Sequence, residues 1–207
     1  MSGGPQRVVL LHGIWMVGLT MRRFAQRLEA MGFAPEIFGY PSITGGPQAA
    51  VDGLLAQLHR GGPAHLVGHS LGGLVALQAL AQAPEVPVGR VVCLGSPVCG
   101  SGAAAAVSRW PISRLYFGRS ADILLTGCAQ WPPQVAVGMV AGRVPRGLGA
   151  LFASFDGPHD GTVAVAETRA PGLADHVVVE ASHSGLLFSS QAVVQTAAFL
   201  REGRFAR

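Results

Sequence analysis

The sequence predicts an α/β fold: a mostly parallel sheet of about six strands with helices on both faces. Two kinds of segment and their succession carry that expectation. Short apolar runs without alternation suit strands buried on both sides, and apolar residues at 3.6-residue spacing mark surface helices. From Arg7 to Leu94 the two kinds alternate regularly, which is the pattern of strand, crossover helix and parallel strand.

Arg7 to Leu11 reads as the first strand, stopped by His12 and Gly13. A helix follows over Thr20 to Met31, with Met21, Phe24, Ala25, Leu28 and Met31 on one face and Gly32 as its stop. Phe33 to Tyr40 is predicted as a strand ended by Pro41, Gln48 to Arg60 as a helix, and Ala64 to Gly68 as a third strand. Leu71 to Ala83 reads as helix and Val88 to Leu94 as a fourth strand. Between Ser96 and Gln134 the pattern loosens into Gly, Ala, Ser and Pro. Strands return at Val135 to Ala141 and His176 to Val179, before a last helix from Gly185 to Arg201. The chain of 207 residues has no repeat, charge run or linker, so one domain over 1–207 is expected, with a short cap or loop insertion within 99–134.

Composition removes several classes of function. All 15 basic residues are Arg, so pyridoxal Schiff bases, lysine nucleophiles and the lysine of a phosphate-binding P-loop are excluded. The net charge of +4 reflects scarce acids, and the arginines are scattered, which gives nucleic-acid binding little support. Cys93, Cys99 and Cys128 form no CxxC pair, and no acidic cluster has ligand spacing, so neither a metal nor another cofactor is expected. No apolar run reaches the roughly 18 residues of a spanning helix, and the first residues lack a signal-peptide core. The chain as written is therefore expected in the cytoplasm, or outside the cell if a leader was removed. Oligomeric state stays open.

The most informative segment is Gly68-His69-Ser70-Leu71-Gly72-Gly73, a G-x-S-x-G between an apolar strand and a helix. A serine at such a turn is held in a strained backbone conformation that leaves no room for bulk two residues before or after it. Gly68 and Gly72 fit that demand, with His69 as a further support of the turn. The plainer reading makes Ser70 a helix N-cap. A serine hydroxyl needs a base to take its proton and an acid to orient the base. Asp160 and His183 follow Ser70 in that order, each predicted just beyond a strand. Asp156 is an alternative acid, and His159 or His176 an alternative base. Two N–H donors should meet the oxyanion: Leu71, just after the serine, and Ile14, in the loop after the first strand.

The set His12-Gly13-Ile14, Gly68 to Gly73, Asp160-Gly161-Thr162-Val163 and His183 to Gln191 resembles bacterial lipases and esterases of the α/β-hydrolase fold. It is most similar to the small lidless lipases of Bacillus. The likeness spans about Val8 to Leu200 and is weak between Cys99 and Val135. It implies a minimal α/β-hydrolase with Ser70 as nucleophile, His183 as base, Asp160 as its acid, and Ile14 and Leu71 as oxyanion donors. Those lipases are exported, whereas this chain shows no signal peptide. Trp15, Trp110 and Phe117 are candidates for a substrate pocket, although aromatics at irregular spacing serve equally well as core. The expected reaction is hydrolysis of neutral acyl esters through an acyl-serine, with a small ester or lipid as substrate and transient contact with a lipid surface. An acyltransferase or thioesterase with the same triad, and a binding module that keeps the fold, are the alternatives.

Overall fold

The computed structural model describes residues 6–102, 104–105, 118–128, 130–147, 155 and 157–207. Six strands form one parallel sheet: β1 (Gln6–Leu11), β2 (Phe33–Phe38), β3 (Ala64–His69), β4 (Val88–Leu94), β5 (Ala136–Gly142) and β6 (Asp175–Val179). Their order is β2-β1-β3-β4-β5-β6. The helices are α1 (Arg22–Ala30), α2 (Gly46–Gly61), α3 (Leu71–Gln82), α4 (Ala121–Thr126) and α5 (Ser190–Glu202).

Both faces of the sheet are buried, which is why the strand sequences run apolar without alternation. Val8, Leu10, Val67, Val92 and Leu94 face α1 and α5, where Phe24, Leu28 and Phe199 cover them. Val9, Leu11, Leu66, Val91 and Cys93 face α2 and α3, under Leu54, Leu58, Leu74 and Leu77. Fully burying such a side chain stabilises the fold by roughly 1.5–3 kcal/mol.

The strand order reverses between β1 and β3, because β2 lies outside β1 on one side and β4 outside β3 on the other. Open parallel sheets bind ligands beyond the carboxyl ends of their strands at such a reversal. The register brings those ends level: Leu11 pairs with Gly68, Gly68 with Cys93, and His69 with Leu94. The loops that begin at His12, Ser70 and Gly95 therefore open on one rim.

Several element ends differ from expectation by one or two residues, and three of the differences change how the chain is built. The first helix opens with a 3-10 turn, Gly18–Met21, before α1. Tyr40 has left β2, since its backbone N–H and hydroxyl both bond His12 instead of a strand partner. The last helix is two: a 3-10 turn, Ser184–Leu187, and then α5, whose N-cap Ser189 accepts a hydrogen bond from Ala192 N–H. Of the stretch 99–134, α4 places Ile123 and Leu124 in the core on the α2–α3 side. Trp110, Tyr116 and Phe117 lie outside the described residues.

Candidate active site

Ser70 stands between the end of β3 and the start of α3 with φ 53° and ψ −118°. Only Trp15, at φ 59°, joins it as a described non-glycine residue with positive φ. Such a backbone costs on the order of 1–3 kcal/mol and persists only where its surroundings enforce it. Here Ser70 N–H donates to Leu94 O at 2.9 Å, and Ser70 O accepts from Gly73 N–H at 3.1 Å. The glycines leave no room for a side chain. A Cβ on Gly68 would lie 2.5 Å from the Gly72 carbonyl carbon, and one on Gly72 would lie 2.5 Å from Leu11 O. Leu71 N–H, the first of α3, stands beside Ser70 with no intrahelical acceptor.

Asp160 sits in a turn after β5, and both oxygens of its carboxylate are engaged. Oδ1 accepts from Thr162 N–H at 2.9 Å and Val163 N–H at 2.7 Å, while Oδ2 meets His183 Nδ1 at 2.7 Å. Burial alone would raise its pKa. The His183 ring and the two N–H donors outweigh that and hold the carboxyl below its ordinary value, so it is ionised. A carboxylate only accepts, so His183 Nδ1 carries a proton, and in the neutral ring Nε2 is the nitrogen with the lone pair. His183 follows β6 through Ala181 and Ser182, and its backbone N–H donates to Asp160 O at 2.9 Å.

The Asp160–His183 pair lies over the end of β4, next to the Ser70 turn. A Cβ on Gly95 would stand 3.2 Å from both Asp160 Oδ2 and His183 Nδ1. The preceding residue, Leu94, accepts the Ser70 N–H. His69 spans the same gap: its Nε2 is 2.9 Å from His183 O, and the two rings are 4.8 Å apart between centroids. Burial, and then the neighbouring His183, push the His69 pKa down to about 3, so the ring is neutral and Nε2–H is the donor. Ser70 Oγ makes no hydrogen bond to a described residue, His183 included.

The loop after β1 closes the site. A Cβ on Gly13 would fall 3.3 Å from Ser70 Cβ, so this backbone passes directly against the serine. His12 Nδ1–H donates to Gly13 O at 2.9 Å, and His12 Nε2 accepts from Tyr40 N–H at 3.4 Å. Burial keeps the His12 ring below its ordinary pKa, which matches one nitrogen donating and the other accepting. Gly13 C=O and Ile14 N–H belong to one planar peptide and point in opposite directions. Pinning the carbonyl therefore aims the amide, and Ile14 N–H donates to no described residue. Trp15 is about half exposed on this loop.

The alternatives fall elsewhere. His176, on β6, pairs with Thr168 Oγ1 at 2.9 Å. His159 stacks on Phe155 and accepts from Gly161 N–H of its own turn. Asp156 lies outside the described residues. Sequence reasoning missed Tyr40 and the side-chain role of His12. The His12-Gly13 dipeptide was the signal for the second, and nothing in the sequence marked Tyr40. Among the described residues no group of His, Cys, Asp and Glu could hold a metal, and no helix is long and apolar enough to cross a membrane.

Solved structures share this architecture at low identity. The mature form of the Bacillus licheniformis lipase BlEst2 matches with TM-score 0.79 and 19% identity, covering 99% of this chain and 94% of that one. The metagenomic carboxyl esterase MGS0156 matches with TM-score 0.72 and 18% identity over 88% of this chain and 66% of that one. Tomato methylketone synthase I matches with TM-score 0.68 and 11% identity over 97% and 99%. A search of curated proteins found no match. The model of the alpha/beta hydrolase family matches residues 8–198, almost the whole chain, and the protein belongs to that family.

Proposed function

We propose that the protein hydrolyses carboxylic esters through an acyl-Ser70 intermediate. Ser70 Oγ attacks the ester carbonyl while its proton passes to His183 Nε2. The carbonyl oxygen takes the negative charge, met by Ile14 N–H and Leu71 N–H. As the tetrahedral intermediate collapses, the bond to the leaving oxygen breaks and His183 returns the proton to it. Water then attacks the acyl carbonyl and gives a proton to His183; as the second tetrahedral intermediate collapses, the bond to Ser70 Oγ breaks, His183 returns that proton to Oγ, and the acid leaves. Asp160 holds the ring in the Nδ1–H tautomer and stabilises the imidazolium.

The observation that carries this reading is the buried Asp160–His183 pair, bonded through Nδ1 and seated against a strained serine turn. Catalytic hydrogen bonds often tighten only when substrate is bound, so a Ser70 Oγ that bonds no described residue is consistent with a proton transfer set up by substrate. The names lipase and carboxyl esterase borne by two proteins of like architecture support esters as the substrate class.

A fluorophosphonate probe should add mass at Ser70 alone, and Ser70→Ala and His183→Ala should each abolish turnover of p-nitrophenyl butyrate. Turnover that survives Ser70→Ala would remove the reading. The same assay with competing alcohols separates a hydrolase from an acyltransferase by its products.

The exterior supports substrates presented at a lipid surface. Val17, Leu19 and Phe188 are exposed on the loops that carry Ile14 and His183, and Arg22 and Arg23 are exposed beside them.

A further inference from the structure

We propose that His69 is a positioning residue for His183, fixing the base against the nucleophile through the hydrogen bond from its ring to the His183 backbone carbonyl. The inference rests on the acyl-Ser70 reading and assigns a task to a side chain that this mechanism does not use.

His69 is the last residue of β3, one peptide bond from Ser70, and its side chain is buried. Its Nε2 meets His183 O at 2.9 Å. Among the described residues this is the one hydrogen bond between the β3–Ser70 segment and the loop that carries His183. The other two bonds on His183, Nδ1 to Asp160 Oδ2 and N–H to Asp160 O, both tie it to the Asp160 turn. Without His69, base and acid remain joined to each other while losing their direct tether to the serine.

The second ring nitrogen supports the assignment. His69 Nδ1 is buried and has no hydrogen-bond partner, and a Cβ on Gly13 would come within 3.0 Å of it. An unpaired buried nitrogen is unfavourable, so an apolar side chain would serve better if filling space were the only task. What distinguishes the imidazole is one donor, delivered at the far edge of the ring. The ring lies between the His183 carbonyl and the Gly13 bend, on the residue that precedes Ser70.

Displacement of a reacting group by about 1 Å costs on the order of a hundredfold in rate. The test measures kcat and KM on a soluble ester for three variants whose folding is checked by circular dichroism and thermal melting. His69→Leu fills the space without a donor, and His69→Asn keeps an amide too short to reach His183 O. His69→Gln places an amide nitrogen where Nε2 stood. Leu and Asn should lower kcat about 10- to 100-fold with KM within about threefold, and Gln should recover most of that loss. Should His69→Leu fail to fold, the Asn and Gln pair decides alone. Wild-type kcat in Leu or Asn, or equal losses in Asn and Gln, would overturn the proposal. Activity that survives Ser70→Ala and His183→Ala would overturn the acyl-enzyme reading instead, so the two failures are told apart.

Discussion

The Tyr40 hydroxyl donates to the backbone carbonyl of His12 at 2.6 Å, and the two rings stack with centroids 4.4 Å apart. This contact holds the loop after β1, whose His12 ring in turn fixes the Gly13–Ile14 peptide. Tyr40→Phe removes one hydrogen bond to a buried acceptor and keeps the stack. It should lower stability by about 1–2 kcal/mol, read from denaturant or thermal unfolding. Turnover should fall about tenfold with KM unchanged, less than the 10²- to 10³-fold cost of deleting an oxyanion donor. Wild-type kcat in this variant would show that Ile14 N–H is aimed without Tyr40.

Asp160→Asn should be nearly as damaging as loss of the serine. The turn already engages one carboxylate oxygen with Thr162 N–H and Val163 N–H, so an asparagine oxygen would take that place and leave its NH2 toward His183 Nδ1. The ring must then accept at Nδ1 and carry its proton at Nε2, the wrong tautomer for a base. A loss of about 10⁴-fold in kcat is expected, as in serine proteases with the same change. Steady-state kinetics on the folded variant check it, and a loss below tenfold would show that Asp160 does not set the tautomer.

Acid should destabilise the protein from near neutrality downward. His69 and His176 have native pKa values pushed down to about 3 and about 4 from 6.5, chiefly by burial. Between those limits the unfolded chain binds protons that the native state refuses, so stability is full above about 6.5 and falls as pH drops toward 4. His69 alone should contribute a slope of roughly 1 kcal/mol per pH unit. Asp160, with its native pKa lowered, adds a further loss only below its unfolded value near 3.8. Melting curves across pH 4–7 should show a shallower slope for His69→Gln, and equal slopes would refute the linkage.

Gly72→Ala should give a protein that folds poorly, because the added carbon lands 2.5 Å from Leu11 O and 2.7 Å from His12 O, both backbone atoms of β1 and its loop. Neither atom can rotate away, so a destabilisation of about 2–3 kcal/mol or more is expected. A variant with wild-type melting temperature would mean that β1 and α3 can separate at no cost.

The residues that announced the fold were those whose neighbours are fixed by backbone geometry alone. Val8 to Leu11 spell a strand buried on both faces, and Gly68 and Gly72 record the close packing of α3 against β3 and β1. The order of Ser70, Asp160 and His183 was equally legible, since each follows a strand and the parallel sheet brings strand ends to one rim. Contacts made across the fold were not. Nothing local distinguishes Tyr40 from a strand terminus, because its partner His12 is 28 residues away. The break at Phe188 was hidden because the helical spacing of apolar residues continues through it, and only Ser189 capping Ala192 marks the restart.

Lipid contact can be tested separately from catalysis. Leu19 and Val17 are exposed by more than 60%, and Phe188 by 53%. Leu19 on the 3-10 turn and Arg23 and Arg27 in α1 follow at four-residue spacing, and Arg27 reaches across to donate to Phe188 O at 2.7 Å. Apolar tips flanked by arginines suit an anionic lipid surface, where each arginine contributes about 1 kcal/mol and buried apolar area adds to it. The protein should co-sediment with vesicles containing phosphatidylglycerol and much less with phosphatidylcholine alone. Leu19→Ser combined with Arg23→Gln should weaken that partition roughly tenfold or more while leaving hydrolysis of a soluble ester unchanged. Equal binding to both kinds of vesicle, or no change in the double variant, would rule this face out as the contact.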